Sequence, residues 1–223
     1  LNSLKDNPHH HFIQGNIGDS ALVSQLLKKY EVRAVINFAA ESHVDRSIDG
    51  PGDFIETNIV GTYNLLESVR GYWGDLGETA KKDFRFLHVS TDEVYGTLEI
   101  GEQGFTESSQ YQPNNPYSAT KAAADQLILA WARTFNVPYV IVRPTNNYGI
   151  GQYTEKFIPK SIKSLQLERP IPLHDAGTPR RTWLHVSDTA SAILKIIESE
   201  VTNEIYNISG NYEEQNIVIA NKI

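Results

Sequence analysis

Two short segments combine side chains whose types and spacing could support proton transfer coupled to the oxidation of an alcohol. The first reads Ser90-Thr91-Asp92-Glu93, and the second places Tyr117 and Lys121 four residues apart in a predicted helix, where they share one face. A tyrosine is a poor base at neutral pH, but a nearby positive charge favours its phenolate. Such a phenolate can take a proton from a hydroxyl while a hydride leaves the same carbon. A tyrosine and a lysine one helical turn apart also occur by chance on protein surfaces, so the pair gains meaning only from its neighbours.

The neighbouring carboxyl groups of Asp92 and Glu93 directly follow a strand predicted over residues 84–90. Ligands of open α/β sheets bind at the carboxyl ends of the strands, which is where this pair must lie. Two adjacent carboxyls in different environments can have different pKa values, so that one acts as an acid and the other as a base. A polar strand end without chemistry is the alternative interpretation.

The composition excludes several classes of function. Of the 223 residues, 40% are hydrophobic and 21% are charged, which is typical of a globular protein. The net charge of −7 argues against a general nucleic-acid binder, and the apolar runs are too short for a membrane span, so we expect neither partner. Cysteine is absent, which excludes disulfides, thiolate nucleophiles and Cys-based zinc sites, and the sequence shows no convincing constellation for another metal.

The elements up to residue 143 alternate between strands and helices. Apolar runs and caps predict strands over residues 12–14, 33–39, 84–90 and 138–143, helices over 19–30, 51–73 and 117–135, and a polar loop over 41–50. A continuous apolar run such as 33–39 is typical of a strand buried on both faces. The alternation predicts an α/β fold with a doubly wound parallel, Rossmann-like sheet.

Beyond residue 143, prolines punctuate shorter elements. We predict helices over 155–167, 187–198 and from Asn216, and strands over 171–173, 183–186 and 204–208. These smaller, interleaved pieces suit a region that covers a substrate at the edge of a sheet. The predicted organisation is a truncated dinucleotide-binding domain over residues 1–143 and a substrate-binding region mostly within 144–223, from which some segments return to the sheet.

Several segments together resemble the extended short-chain dehydrogenase/reductase superfamily and, within it, the dTDP-glucose 4,6-dehydratases. The similarity covers nearly all of the chain, and the combination of motifs is far more specific than any one of them. The segments are 39–48 (AAESHVDRSI), 57–62 (TNIVGT), 90–96 (STDEVYG), 117–121 (YSATK), 146–149 (NNYG), 155–159 (EKFIP) and 181–184 (RTWL).

The resemblance implies NAD as the cofactor. The positions that it assigns to NAD are Asn16, Ile17, Ala39, Ala40, Ser42, Asn58, Ser90, Tyr117, Lys121 and Asn146. Dinucleotide-binding folds open with a strand and a Gly-rich turn that holds the pyrophosphate at a helix N-terminus, and no such pattern occurs near residue 1. We therefore expect residues 1–223 alone to bind NAD poorly and to be nearly inactive.

The resemblance also implies a reaction, the dehydration of a nucleotide-activated hexose. Tyr117 and Lys121 would assist oxidation at C4, with Thr91 hydrogen-bonded to the C4 hydroxyl. Glu93 would then remove the C5 proton, and a protonated Asp92 would give its proton to the departing C6 hydroxyl before hydride returns to C6. A threonine that only stabilises the turn is the alternative for Thr91.

The resemblance assigns a further set of positions to the nucleotide-sugar: His43, Thr91, Asn147, Glu155, Lys156, Phe157, Pro172, His174, Arg181 and Asn216. A guanidinium such as that of Arg181 suits a diphosphate, although the adjacent Arg180 could compete for this role. Lys156 or Arg181 could instead be plain surface charges. For His43, a structural hydrogen bond is as good an interpretation as contact with the substrate.

The alternatives concern both the reaction and the substrate. A 4-epimerase or a decarboxylase of the same superfamily and a non-catalytic NAD-binding regulator are the other candidate functions. Departures from the dehydratase pattern at residues 143–145, 150–151, 174 and 182 leave UDP-glucose, CDP-glucose and UDP-N-acetyl sugars open beside dTDP-glucose. The resemblance further implies a cytoplasmic homodimer, in which helices over residues 54–69 and 117–135 would pack against the second subunit.

Overall fold

The computed structural model describes residues 2–99 and 101–223. Its strands are β1 (Ala34–Asn37), β2 (Arg85–Val89), β3 (Val140–Pro144), β4 (Asn146–Tyr148), β5 (Arg180–His185), β6 (Glu204–Ile208) and β7 (Tyr212–Gln215). Its α-helices are α1 (Ser20–Lys29), α2 (Val44–Asp49), α3 (Gly52–Phe54), α4 (Thr62–Asp75), α5 (Glu78–Asp83), α6 (Pro116–Phe135), α7 (Phe157–Gln166), α8 (Val186–Glu198) and α9 (Asn216–Lys222). A π-helical segment, Ile55–Gly61, joins α3 to α4, and 3-10 turns span Asn2–Leu4, Asp92–Tyr95 and His174–Gly177.

Four parallel strands form the larger sheet, in the order β1-β2-β3-β6. Leu87 of β2 lies opposite Ile36 of β1 on one side and opposite Val140 of β3 on the other. On the far side of β3, Ile141 lies opposite Ile205 of β6. Because all four strands run in the same direction, their carboxyl ends meet at one edge of the sheet.

Helices cover both faces of this sheet. On one face, Leu66 of α4 and Ile128 of α6 pack in the same apolar cluster as Phe86 of β2. On the other face, Ile193 of α8 packs with Leu87 of β2. Alternate residues of β2 therefore point into two separate clusters, as expected for a strand between two helical layers. The predicted α/β fold with a doubly wound parallel sheet is confirmed.

A smaller sheet contains β4, β5 and β7, with β4 parallel and β7 antiparallel to the central β5. It is reached directly from β3, since only Thr145 separates β3 from β4. The domain division predicted after residue 143 stays a prediction. Beyond that residue, α8 and β6 pack with the larger sheet.

Local capping explains why the two best-predicted helices begin where they do. The Asp19 side chain accepts a hydrogen bond from the Leu22 amide at 3.0 Å at the start of α1. The Asn115 side chain accepts one from the Ser118 amide at 2.8 Å at the start of α6, and the Ser118 hydroxyl accepts one from the Asn115 backbone N–H at 3.3 Å. With Pro116 as the first helical residue, this reciprocal cap fixes the entry of α6.

Several predicted elements are wrong in detail. Residues 12–14 form no strand, and Phe12 is 67% exposed, because none of the described strands pairs with this segment. Residues 171–173 form no strand either, and the predicted loop 41–50 contains α2. β1 is not buried on both faces, since Ile36 is 40% exposed at the edge of the described sheet. The pattern also misses α5 and the short polar strands β4 and β7.

Two features are absent from the described residues. Among them, no helix combines the length and the apolar character needed to cross a membrane. Within residues 2–99 and 101–223, no group of three or more His, Cys, Asp or Glu side chains is arranged to hold a metal ion.

Candidate active site

The chain turns sharply after β2, beginning at Thr91. The Thr91 hydroxyl accepts a hydrogen bond from the Glu93 amide at 3.3 Å and donates to Asp92 Oδ1 at 3.4 Å. The turn ends at Gly96, whose φ is +94° and where a Cβ would lie 2.5 Å from the Gln112 carbonyl oxygen. Only glycine fits such a position, so the turn is fixed at both ends and holds the two acids at the carboxyl edge of the sheet.

Asp92 lies in surroundings that favour its protonated form. Burial, followed by the charge of the neighbouring Glu93, raises the pKa of Asp92 from 3.8 to about 6. A hydrogen bond from Thr91 and the positive charge of Arg181 act in the opposite direction without outweighing burial. A carboxyl with this pKa can carry a proton near neutral pH and can therefore serve as an acid.

Tyr117, in the first turn of α6, faces the same carboxylates. Burial and then the charge of Glu93 raise the pKa of Tyr117, with a smaller rise from Asp92, whereas a hydrogen bond with the Thr91 hydroxyl lowers it. The Tyr117 side chain is buried. The structure therefore brings Thr91, Asp92, Glu93 and Tyr117 together around one point, which we call the acid–phenol cluster.

The raised pKa of Tyr117 is opposite to what a proton-accepting phenolate needs. Lys121 lies one helical turn away, but its Nζ donates to the Val89 carbonyl oxygen at 2.8 Å and lies 3.2 Å from Nε2 of His88. Burial lowers the pKa of Lys121 to about 8, although the charge of Asp125 opposes this. Lys121 can therefore gain or lose its charge near neutral pH, and a further positive charge at the hydroxyl would be needed to favour the phenolate.

Asn58 ties the loop after β1 to α6. It lies in the π-helical segment and is buried. Its amide oxygen accepts from the Glu41 backbone N–H at 2.9 Å, and its amide nitrogen donates to the Glu41 carbonyl at 3.0 Å and to the Thr120 hydroxyl at 2.9 Å. Thr120 directly precedes Lys121, so Asn58 fixes the loop against the helix that carries the Tyr–Lys pair.

The other positions assigned to a cofactor lie in several elements. Ala39 and Ala40 are partly buried directly after β1, and Ser90 is buried directly after β2. Asn16 and Ile17 lie in the turn before α1, where Ile17 packs next to Gly61 of the π-helical segment. Asn146 lies in β4, so it belongs to the smaller sheet.

Lys156 connects the second half of the chain to the loop after β1. Its Nζ donates to the Ser42 carbonyl oxygen at 2.6 Å. Burial lowers the pKa of Lys156, while the charges of Glu155 and Glu93 raise it. Arg46 lies 4.0 Å from the Glu155 carboxylate. Lys156 is therefore not a plain surface charge, because it is partly buried and lies within electrostatic reach of the acid–phenol cluster.

The two adjacent arginines of β5 have different partners. Arg180 forms an exposed ion pair with Glu213 of β7, with Nε 2.6 Å from the carboxylate oxygen. Arg181 instead lies close enough to Asp92 that its charge lowers the pKa of that carboxyl. Side chains of successive strand residues point to opposite faces, so only Arg181 is directed towards the acid–phenol cluster.

Three other positions assigned to the nucleotide-sugar differ in their freedom to bind a ligand. Asn147 is engaged within the protein, since its Nδ2 donates to the Thr145 carbonyl at 3.0 Å and its Oδ1 accepts from the Thr189 hydroxyl. The Phe157 ring packs near Trp183. Asn216, at the start of α9, has a buried Oδ1 that finds no hydrogen-bond donor among the described residues. Asn216 is therefore the one of these three that offers an unused acceptor.

The remaining positions to be located are His43, Pro172 and His174. His43 begins this helix, because its Nδ1 accepts from the Arg46 amide at 3.3 Å, which supports the structural interpretation of His43. Pro172 is exposed, and the exposed His174 side chain lies 3.8 Å from a carboxylate oxygen of Asp45. The structure does not bring Pro172 or His174 into the acid–phenol cluster.

Buried polar residues beneath the cluster were not singled out by the sequence pattern. They are Asn37 of β1, His88 of β2, Asp125 of α6 and Arg143 of β3. The only signal that could have found them is a polar residue inside an otherwise apolar strand run or, for Asp125, its position one helical turn after Lys121.

The sequence matches the model of a known protein family. The model of the GDP-mannose 4,6 dehydratase family matches residues 1–223, which is the whole chain. The chain belongs to this family. Membership agrees with the Ser90–Gly96 turn and with the Tyr117–Lys121 pair that the structure brings to the carboxyl edge of the sheet.

Within the GDP-mannose 4,6 dehydratase family, the chain is similar to enzymes named dTDP-glucose 4,6-dehydratases. The chain is 51% identical over 224 residues to a dTDP-glucose 4,6-dehydratase of Xanthomonas campestris pv. campestris and covers 63% of its length. It is 44% identical over 223 residues to that of Haemophilus influenzae and covers 66% of its length. Both alignments include 100% of this chain, so it spans less than two thirds of these curated relatives.

A solved structure shows the same similarity. The dTDP-glucose 4,6-dehydratase from Streptomyces venezuelae, with NAD bound, superimposes on this chain with a TM-score of 0.91 at 37% identity. The superposition covers 100% of this chain and 65% of the other. The resemblance to dTDP-glucose 4,6-dehydratases that the motifs indicate is therefore confirmed.

Proposed function

We propose that the protein to which this chain belongs is an NAD-dependent nucleotide-sugar 4,6-dehydratase that converts dTDP-glucose to dTDP-4-keto-6-deoxyglucose. The observation that carries the proposal is the pair of adjacent carboxyls, Asp92 and Glu93, held beside Tyr117, with the pKa of Asp92 raised to about 6. Elimination of water needs an acid and a base at one sugar ring, whereas inversion at C4 needs no such pair.

The relatives support the choice of substrate. Those that align with the whole chain at 44–51% identity are named dTDP-glucose 4,6-dehydratases. The departures at residues 150–151, 174 and 182 bear on recognition of the base and the sugar more than on the reaction, because none lies in the acid–phenol cluster. Since this chain covers only part of those relatives, the activity is proposed for the whole protein.

The residues at the carboxyl edge of the sheet fit the nicotinamide end of a dinucleotide. Lys121 brings a cationic donor to this edge, and Tyr117 adds a hydroxyl. Within residues 2–99 and 101–223, no strand is followed by a Gly-rich turn into a helix, which is the element that holds a pyrophosphate. We therefore assign only this end of the cofactor to Tyr117, Lys121, Ser90 and the Asn58-bound loop.

The first chemical step that these residues support is oxidation at C4. NAD, when bound, would accept the C4 hydride and later return it to C6. Tyr117 would take the proton of the C4 hydroxyl, and the ammonium of Lys121, together with the positive charge that a nicotinamide ring would bring, would favour the phenolate that does so. Thr91, whose hydroxyl lies beside Tyr117, would hold the C4 hydroxyl in place by a hydrogen bond.

The second step is elimination of water across C5 and C6. A ketone at C4 makes the C5 proton acidic, because the resulting carbanion is stabilised as an enolate. Glu93 would remove that proton, and Asp92 would give its own proton to the departing C6 hydroxyl, which leaves as water. Return of the hydride to C6 would then be accompanied by reprotonation of C5. The raised pKa of Asp92 supports this division of roles, since an acid must hold its proton near neutral pH.

Product analysis tests the proposal. The full-length protein, supplied with NAD, is incubated with dTDP-glucose, UDP-glucose, CDP-glucose, UDP-N-acetylglucosamine and UDP-glucuronic acid, and the products are analysed by mass spectrometry and, for the configuration at C4, by proton NMR. We expect loss of one water without loss of carbon dioxide, most rapidly from dTDP-glucose. An intact sugar with inverted C4, or loss of carbon dioxide from a uronic acid, would instead support an epimerase or a decarboxylase. NAD binding without any product would support a regulator.

The proposal extends to a cytoplasmic homodimer. Three apolar side chains, Ile55, Tyr63 and Phe135, are 38–48% exposed on the paired helices that run from α3 to α4 and along α6. Ile128 of α6, in contrast, packs in the core of the subunit, so it cannot face a partner. Sedimentation of the full-length protein at micromolar concentration should show a dimer, and a Tyr63→Lys variant should shift it towards the monomer.

A further inference from the structure

A buried line of hydrogen-bonding side chains joins β1, β2 and α6. Asn37, His88 and Lys121 are each at most 3% exposed. Asn37 Nδ2 lies 3.2 Å from His88 Nδ1, and Lys121 Nζ lies 3.2 Å from His88 Nε2. Both ring nitrogens of His88 are therefore occupied, one by an amide and the other by the lysine of the Tyr–Lys pair.

The orientation of the Asn37 amide is set by the backbone. Asn37 Oδ1 accepts a hydrogen bond from the Ala39 N–H at 3.1 Å, and a backbone N–H can only donate. The other end of the amide, Nδ2, must then face His88 Nδ1. Because Nδ2 also only donates, Nδ1 must be the acceptor and carries no proton.

A neutral imidazole carries one proton, which must therefore lie on the opposite nitrogen, Nε2 of His88. This N–H faces Lys121 Nζ. An ammonium has no lone pair with which to accept it, whereas a neutral amine has one. Protonation of Lys121 would require the His88 proton to move to Nδ1, where it would oppose the Asn37 amide.

We propose that Asn37 and His88 are positioning residues for Lys121: Asn37 favours the Nε2–H tautomer of His88, and this N–H stabilises the neutral amine of Lys121 relative to the ammonium that the oxidation step uses. Neither residue touches a reacting atom. They set the pH above which Lys121 loses its charge, and the catalytic consequence, loss of the cation that favours the Tyr117 phenolate, rests on the proposed function. The tautomer itself does not depend on that function.

The charged groups around Lys121 do not explain why its pKa is lowered. Asp125, one turn later on α6, favours the ammonium, but Arg143 of β3 is paired with Asp125 and offsets that charge. The carboxylates of Asp92 and Glu93 raise the pKa of Tyr117. Burial is the largest influence on Lys121 and lowers its pKa. Burial, followed by the charge of Lys121, also lowers the pKa of His88. Both shifts favour the neutral form of the side chain.

Nitrogen NMR of the ring-labelled full-length protein tests the tautomer directly. Above the Lys121 pKa of about 8, where Lys121 is a neutral amine, we expect a His88 signal with a protonated Nε2 and an unprotonated Nδ1. The signal is assigned by its absence in His88→Gln or, if that variant does not fold, by its displacement in Asn37→Leu. A proton on Nδ1, or a doubly protonated ring, in the wild-type protein above the Lys121 pKa would overturn the proposal.

The pH profile of turnover tests the consequence. Activity should fall as the pH rises through the pKa of Lys121, because the ammonium is then lost. Asn37→Leu removes the amide without adding charge, so it should free the tautomer and move this alkaline limb upwards by ~1 pH unit. Asn37→Asp, which accepts from Nδ1–H, should move it at least as far and place a proton on Nδ1.

The two variants separate the proposal from simpler explanations. A shift in Asn37→Asp with no shift in Asn37→Leu would reduce the effect to added charge and would refute the tautomer account. Lower activity with an unmoved alkaline limb in both variants would show a merely structural role and would also refute it. Failure of the wild-type protein to dehydrate any sugar nucleotide would refute the proposed function, while the NMR result would stand by itself.

Discussion

Arg143 and Asp125 form an ion pair from which solvent is excluded, with a guanidinium nitrogen 3.1 Å from Asp125 Oδ2. Arg143 also donates to the hydroxyls of Tyr95 and Tyr111. Tyr95 belongs to the turn that carries the two acids, and Asp125 belongs to the helix that carries the Tyr–Lys pair. This pair therefore fixes the two halves of the acid–phenol cluster against β3.

Removal of Arg143 should destabilise the protein severely. Arg143→Met leaves the buried Asp125 carboxylate without its ion-pair partner, although the Tyr111 hydroxyl still donates to it, and loss of the pair costs about 3–5 kcal/mol. Urea unfolding of the variant should show this loss in the free energy of unfolding. The double variant Arg143→Met/Asp125→Leu, in which no charge is stranded, should recover a large part of the stability. A double variant no more stable than the single one would contradict this account of the pair.

The stability contributed by Asp92 should depend on pH. Its folded-state pKa of about 6 exceeds the ordinary 3.8, so the folded protein retains a proton that the unfolded chain releases between these values. This contribution is therefore fully present below about pH 4 and is lost as the pH rises through about 6. Asp92→Asn, which cannot ionise, should gain about 1–3 kcal/mol relative to wild type between pH 4 and 7.

Chemical unfolding at a series of pH values measures that difference. Asp53→Asn, at an exposed carboxyl in α3, supplies the matched control. A stability difference between Asp92→Asn and wild type that stayed constant from pH 4 to 7 would show that the pKa of Asp92 is not raised in the folded protein.

The two arginines of β5 should separate in steady-state kinetics. Arg181→Met removes a cation directed towards the acid–phenol cluster, and loss of a charge-assisted hydrogen bond to a diphosphate should raise KM about 10–100-fold. Arg180→Met, which breaks only an exposed pair with Glu213, should leave KM close to wild type. Equal effects in both variants would show that the position of Arg181 near Asp92 has no bearing on substrate binding.

Much of the fold is visible in the sequence because local signals agree with tertiary packing. The Asp19 and Asn115 caps and the apolar runs of β2 and β3 predict elements that the structure confirms. The segment 12–14 looks like a strand by the same criterion, but a strand exists only with a partner, and pattern alone does not show which partners are present. The short polar strand β4 has the opposite problem, since it forms by pairing with β5 without an apolar pattern.

In the candidate site, too, some residues can be recognised from the sequence and others only from the folded structure. Adjacent residues such as Asp92 and Glu93, or a pair one helical turn apart, can be recognised from spacing. The line from Asn37 to Lys121 joins residues 51 and 33 positions apart in sequence, and such contacts are fixed only when strands β1 and β2 pair. The π-helical segment that aims Asn58 at Glu41 also has no sequence signal that periodicity could detect.

The central claim, that Glu93 removes the C5 proton after oxidation at C4, is tested most directly by Glu93→Gln in the full-length protein. Mass spectrometry after a single turnover with NAD and dTDP-glucose should reveal a 4-keto sugar that retains its C6 hydroxyl, because oxidation proceeds while elimination stops. Formation of the 4-keto-6-deoxy product at the wild-type rate would contradict the role assigned to Glu93.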